Sequence, residues 1–195
     1  MTTVVQLGPP PAEISLSHRR LQLMSRLLSW LFTGLLVFFG VVLTALILGV
    51  VFYSGEYLRI SPTNAWIGTG PPDSVAFASL PLGQRLAFAL VGAVRAAPIL
   101  MIFWHMRQLF GLYARGEVFT PRNAMHLGRA GAWLCAHAVA PFVCHLFLQA
   151  TGYEIDKNWL HLDSVQAFIL GLLVFAVAQV MQVGREIEED REGFI

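Results

Sequence analysis

The chain has 195 residues, of which 56% are hydrophobic and only 13% are charged, and its formal net charge is +1. A soluble domain usually carries about 25% charged residues, whereas the mean hydropathy of this chain is +0.62. The composition therefore excludes an ordinary soluble domain and predicts a membrane protein.

Four apolar segments are long enough to cross a membrane. The first, residues 27–53, contains no charged residue, and about 20 such residues cross about 30 Å of hydrocarbon. It is too long for the core of a signal peptide, so we expect it to be retained. The other spans cover about 86–106, 130–150 and 165–183. Because backbone polar groups in lipid must be satisfied internally, the sequence predicts an all-α fold, a polytopic bundle of four transmembrane helices.

The positions of the positive charges predict the orientation of these spans. Lys and Arg near span ends are retained on the cytoplasmic side. Nine arginines lie on one predicted side, against Arg59, Arg85 and Lys157 on the other. Both termini are therefore expected in the cytoplasm. The nine arginines are Arg19, Arg20, Arg26, Arg107, Arg115, Arg122, Arg129, Arg185 and Arg191.

This orientation divides the chain into three parts. Residues 1–26 form a cytoplasmic N-terminal segment, 27–185 the transmembrane domain, and 186–195 an acidic cytoplasmic tail. The longest connection, 54–84, is rich in turn-forming proline and glycine, and we expect it to be an outer loop packed over the helices. Small residues that let helices approach closely predict packing stripes on spans three and four. They are Gly131, Ala138, Ala167, Gly171 and Ala178.

The polar connection between spans two and three predicts a helical hairpin. Helical spacing continues past span two to Arg115, and Gly116 is placed to close that helix in the left-handed conformation. Thr120 and Pro121 predict the N-cap and the first residue of the next helix. Phe119 precedes the cap, where we expect it to pack against the new helix at Met125 as a hydrophobic staple.

The hairpin stretch LYARGEVFTPRNAMHLGRAG closely resembles the signature of the domain of unknown function 2975 family, a group of small bacterial membrane proteins. The C-terminal stretch VAQVMQVGREIEEDREGFI is similar to the ending of that family, so the resemblance covers roughly residues 85–195. It implies a four-helix protein of the bacterial inner membrane with no established reaction. The matching positions are Tyr113, Arg115, Gly116, Phe119, Thr120, Asn123, Leu127, Arg129 and Gly131.

Arg95 lies inside the second predicted span. It follows Arg85 by 10 residues, which at 1.5 Å per residue places it near mid-membrane. An arginine there costs at least about 2.5 kcal/mol, so it should face other helices. Pro141 lies at a similar depth and frees the backbone carbonyl of His137. We predict that Arg95 donates to that carbonyl or to a buried water beside it, as a structural tie, with Gln179 as a further polar group across the bundle.

Histidine and cysteine positions raise other chemistries. His137 and His145 are eight residues apart on one helix, about 12 Å, which is too far for one metal ion. A haem or metal site between His105 and His137 is an alternative, although a histidine packed between helices is commoner. Cys135 and Cys144 are too far apart along the helix for a disulfide. No catalytic motif is present, so we expect neither an enzyme nor a cofactor.

The predicted cytoplasmic face carries opposite charges. Residues 186–192 contain five acids and one base, facing the hairpin arginines, where each exposed ion pair contributes about 0–1 kcal/mol. Our leading hypothesis is a small adaptor or regulatory membrane protein that binds a protein partner through this face. The alternative is a small-molecule or ion transporter or channel, as Arg95 indicates. The predicted surface comprises Tyr113, Arg115, Gly116, Phe119, Thr120, Arg122, Asn123, Arg129, Glu188 and Glu189.

The partners follow from the same hypothesis. We expect the lipid bilayer and a cytoplasmic protein as partners, and no direct contact with nucleic acid. The sequence leaves a homo-oligomer open.

Overall fold

Four long helices make up most of the protein in its computed structural model, which describes residues 12–61, 65–152 and 162–192, without the side chains of 12–17, 186 and 188–192. All four helices are long and apolar enough to cross a membrane. The predicted number and order of helices are therefore confirmed. The helices are α1 Ala12–Phe52, α2 Leu82–Ala114, α3 Pro121–Ala150 and α4 Leu162–Glu192.

Each helix extends beyond the apolar segment that predicted it. α1 begins well before residue 27, α2 continues past 106 to Ala114, and α4 continues into the acidic segment. Hydropathy marks only the part of a helix that suits lipid, whereas polar residues such as Arg, Gln and Glu are also good helix formers. The helix ends are therefore set by turn and cap residues.

The helices pack in chain order. α1 packs against α2, α2 against α3 and α3 against α4, while the described parts of α1 and α4 make no close interface with each other. The four predicted helices therefore pack in series, each against its neighbour in the chain. Each interface joins helices that are consecutive in the chain, and each interface has its own chemistry.

Aromatic side chains join α1 to α2. Phe32 stacks on Phe110 with ring centroids 5.7 Å apart and an interplanar angle of 7°. Phe39 packs on Phe103 at 5.6 Å. Offset or tilted rings at these separations add about 0.5–1.5 kcal/mol to the burial of each pair. This interface therefore depends on large side chains.

Two glycines join α3 to α4 by direct backbone contact. A Cβ atom added to Gly131 would lie 2.8 Å from the carbonyl oxygen of Gly171 and 2.9 Å from the backbone nitrogen of Phe175. A Cβ atom on Gly171 would lie 2.8 Å from the carbonyl oxygen of Gly131. The predicted small-residue packing is confirmed at these two positions, because no side chain fits between the helices there.

The connection between α1 and α2 contains a small antiparallel sheet that the sequence did not predict. Its strand order is β2-β1-β3, and Arg59 of β1 donates to the hydroxyl oxygen of Ser74 at 2.9 Å and to its carbonyl at 2.6 Å. Strands of two or three residues are too short to show a period-2 pattern. The strands are β1 Leu58–Ile60, β2 Ala65–Ile67 and β3 Val75–Ala76, followed by a 3₁₀ turn at Phe77–Ser79.

Arg85 fastens the start of α2 to the end of α1. Its Nε donates to the carbonyl of Val50 at 2.7 Å and its Nη2 to the carbonyl of Tyr53 at 2.8 Å. The last carbonyls of a helix lack internal partners and carry partial negative charge, which a cation there stabilises. Arg85 therefore caps the C-terminal end of α1.

Candidate functional site

The hairpin between α2 and α3 begins with the predicted glycine cap. Gly116 has φ +80, and its backbone N–H donates to the carbonyl of Tyr113 at 3.0 Å, while that of Glu117 donates to Leu112 at 3.1 Å. These two bonds form a Schellman motif. A Cβ atom at Gly116 would lie 3.2 Å from Nε2 of Gln22 on α1. Gly116 is therefore required by its backbone conformation, whereas the flexible side chain of Gln22 could move away from a Cβ atom.

Helix α3 starts where the sequence predicted, but with different cap contacts. Thr120 is the N-cap residue and its backbone is extended, and Pro121 is the first helical residue. The Thr120 hydroxyl is buried and has no hydrogen-bond partner among the described residues. Phe119 has φ +63 and its side chain is 66% exposed. Phe119 therefore lies largely at the surface, and its staple contact with Met125 stays a prediction.

Asn123 fixes the hairpin from inside. It is completely buried, with 0% exposure, and its Nδ2 donates to the backbone carbonyl of Glu117 at 2.7 Å. Its Oδ1 has no partner in the described chain. We predicted Asn123 on the interaction surface, and this is corrected: it cannot touch a partner, because it holds the first turn of α3 against the loop.

The exposed part of the hairpin presents one aromatic ring among cations. Arg115 forms an ion pair with Glu117, with Nε and Oε1 2.9 Å apart. Arg122 and Arg129 are also exposed, whereas Tyr113 is half-buried and packs edge-on against Phe110. Glu188 and Glu189 belong to α4, but their side chains lie outside the described residues. We call four of the exposed hairpin residues the hairpin tip, namely Arg115, Gly116, Phe119 and Arg122.

A histidine pair that the sequence did not predict lies between α2 and α3, next to the hairpin. The Nδ1 atoms of His105 and His126 are 3.1 Å apart, and His105 is buried. One ring donates and the other accepts, because neutral imidazole has one N–H and one acceptor nitrogen. The sequence feature that could have predicted this pair is the similar distance of the two histidines from the turn, since antiparallel helices bring such positions side by side.

The histidine pair bears on the alternative hypothesis of a haem or metal site. That hypothesis joined His105 to His137, but the structure places His105 against His126. The Nδ1 atom of His137 is buried without a partner among the described residues. Within 12–61, 65–152 and 162–192, no three potential metal ligands come together.

The predicted direct bond from Arg95 to the backbone carbonyl of His137 is not formed, and the alternative through a buried water stays a prediction. Arg95 is exposed within the structure and makes no hydrogen bond or ion pair with any described residue. Gln179 is exposed on α4, which does not pack closely against α2. Arg95 instead lines a cavity between α1, α2 and the sheet. The prediction used depth alone, and residues at equal depth on two helices meet only when both face the shared interface.

Comparison with known proteins identifies a protein family. The model of a family described as protein of unknown function (DUF2975) matches residues 73–195, which include α2, α3 and α4. No curated protein sequence and no solved structure matches the chain.

Proposed function

The chain belongs to the DUF2975 family of proteins of unknown function, and from the geometry of its hairpin we propose that it is a small adaptor or regulatory protein of the bacterial cytoplasmic membrane. Four helices cross the membrane with both termini and the hairpin tip in the cytoplasm. The excess of arginine on that side supports this orientation. The protein acts by binding another protein and not by catalysis.

Phe119 is the observation that carries the proposal. A non-glycine residue in the left-handed conformation costs about 1–2 kcal/mol, and such strain persists where the surrounding structure holds it and the position has a function. Here Gly116 and the bond from Asn123 to Glu117 hold the loop. An aromatic ring that is exposed in a fixed position has the properties of a binding hot spot.

The charges around Phe119 define the partner chemistry. Arg115 and Arg122 are exposed on either side of it in the chain. Glu117 forms an ion pair with Arg115, and among the described residues Arg122 has no such partner. The complementary partner has an apolar pocket for one aromatic ring and acidic residues at its rim. Such rim charges mainly raise the association rate and the specificity, whereas the ring supplies most of the affinity.

Affinity purification tests this proposal. The full chain is purified from its own cells in mild detergent, and the proteins that accompany it are quantified. We expect one protein in stoichiometric amount, and at least a tenfold loss for Phe119→Ala, since hot-spot truncation costs about 2 kcal/mol or more. The double variant Arg115→Ala/Arg122→Ala should weaken retention, most at low salt, because higher salt already screens these charges in the unchanged protein.

Ile67→Ala is the matched control, because Ile67 is a large apolar residue that is 74% exposed on β2, away from the hairpin. Its partner retention should equal that of the unchanged protein. Equal retention by Phe119→Ala, or no accompanying protein at all, would contradict the adaptor function.

Transport of a small molecule or ion is the second candidate, and a separate observation favours it. Arg95 lines a cavity among apolar side chains and has no hydrogen-bond or ion-pair partner among the described residues, and charge inside a span often belongs to a transport path. Arg95→Leu separates the two functions. A transporter should lose flux with this variant while it stays folded, whereas an adaptor should keep its protein partner.

A further inference from the structure

A cavity of about 420 Å³ lies between α1, α2 and the sheet, remote in sequence from the hairpin tip. Its lining is predominantly apolar. α1 contributes Leu43 and Val50, α2 contributes Phe88 and Gly92, and the sheet contributes Trp66. Small-molecule sites are typically apolar clefts of about 300–1,000 Å³ with a few polar groups that fix orientation. The cavity has the volume and the lining of such a site.

Arg95 is the only charged residue among the described residues that line this cavity. Arg85 on the same helix donates to two carbonyl oxygens, but Arg95 donates to no described residue. A guanidinium has five N–H donors and stays charged, so in apolar surroundings it needs an acceptor. An anionic group in the cavity would therefore satisfy the Arg95 guanidinium.

The polar groups on the sheet side of the cavity are already engaged. Nε1 of Trp66 donates to Oγ of Ser61 at 3.3 Å, and Ser61 is buried. A ligand therefore meets apolar surface there. Arg95 is the polar side chain of the lining that has no hydrogen-bond partner among the described residues. The cavity therefore suits a molecule with one charged end and an apolar body.

We propose that this cavity binds a lipophilic carboxylate, with one apolar chain and a carboxylate that accepts from Arg95. A carboxylate takes two parallel N–H bonds from a guanidinium, and its single negative charge equals the single positive charge of the lining. A phosphate dianion would leave a buried charge uncompensated. A volume at the small end of the usual range suits one chain and not a two-chain lipid. This site is independent of the hairpin and of its protein partner.

Gly92 and Arg95 allow the volume and the charge to be tested separately. A Cβ atom at Gly92 would meet no atom within 4 Å, so Gly92→Leu fills the cavity without displacing backbone. Arg95→Gln removes the charge, and Arg95→Lys retains it. Arg107→Gln is the matched control on α2, because Arg107 stacks on Trp104 and does not line the cavity.

The test measures saturable binding of tritiated oleate and of tritiated oleyl alcohol to the full chain in lipid nanodiscs, above empty nanodiscs. We expect one oleate per chain and alcohol binding at least about tenfold weaker, the usual contribution of a charged hydrogen bond. Arg95→Gln should lose about tenfold for oleate and little for the alcohol. Gly92→Leu should abolish binding of both, Arg95→Lys should retain oleate, and Arg107→Gln should match the unchanged protein.

Three results would overturn the site. They are absence of saturable binding by both oleate and the shorter dodecanoate, equal binding of acid and alcohol, and unchanged oleate binding by Arg95→Gln. If Arg95→Gln fails to fold, the comparison of acid with alcohol on the unchanged protein still decides. Each of these outcomes is independent of whether Phe119→Ala loses its partner.

Discussion

Gly131→Leu is expected to lower the thermal stability of the protein strongly, because it separates α3 from α4. Even a Cβ atom at this position would lie 2.8 Å from the carbonyl oxygen of Gly171, so the two helices must move apart. Overpacking costs about 1–3 kcal/mol when neighbours can adjust, and backbone adjusts less than a side chain does. The midpoint of thermal unfolding in detergent measures the loss.

Gly34→Leu is the matched control, because a Cβ atom at Gly34 of α1 meets nothing within 4 Å. Substitution by alanine at the same two positions should change the stability in opposite directions. Alanine stabilises an unhindered helix by about 1 kcal/mol relative to glycine, so Gly34→Ala should stabilise and Gly131→Ala should destabilise. A Gly131→Leu variant as stable as Gly34→Leu would show that α3 and α4 are not in backbone contact.

Asn123→Ala is expected to loosen the hairpin and destabilise the protein by about 1–3 kcal/mol, the cost of leaving a buried acceptor without its donor. The substitution removes the 2.7 Å bond to the carbonyl of Glu117, which holds the loop that carries Phe119. Hydrogen exchange of the amides at 114–121 should therefore speed up, and partner retention should fall although Asn123 touches no partner.

Arg122→Ala is the control for this substitution, since Arg122 is the exposed neighbour of Asn123 and surface substitutions usually stay within about 0.5 kcal/mol. It should leave stability and exchange at 114–121 unchanged. Exchange in Asn123→Ala that equals that of Arg122→Ala would show that the loop is held by other contacts.

The helices and the hairpin cap could be predicted because their causes are local. A run of apolar residues predicts a helix on its own, and Gly116, Thr120 and Pro121 each act on the backbone at their own position. The contact of Gly131 with Gly171 was also predictable, because small residues on apolar helices mark close approach. The family model matches residues 73–195, the part of the chain that contains the hairpin and both of these glycines.

The remaining features depend on contacts between distant parts of the chain. The directions in which Arg95 and His137 point depend on the rotation of each helix about its axis. The depth of a residue in the membrane does not determine that rotation. The pairing of His105 with His126 likewise requires the register of α2 against α3. Asn123 was assigned to the surface with the rest of the hairpin motif, but a buried amide that binds a loop carbonyl carries the same sequence signal as an exposed one.

Site-specific photocrosslinking in living cells tests the central claim most directly, namely that the hairpin tip binds a protein on the cytoplasmic side. p-Benzoylphenylalanine replaces Phe119 in one variant and Ile67 on β2 in another, since both positions are exposed. We predict one discrete adduct with a protein that has a cytoplasmic part from position 119, and no such adduct from position 67. The same adduct from both positions, or none from position 119, would contradict the adaptor function.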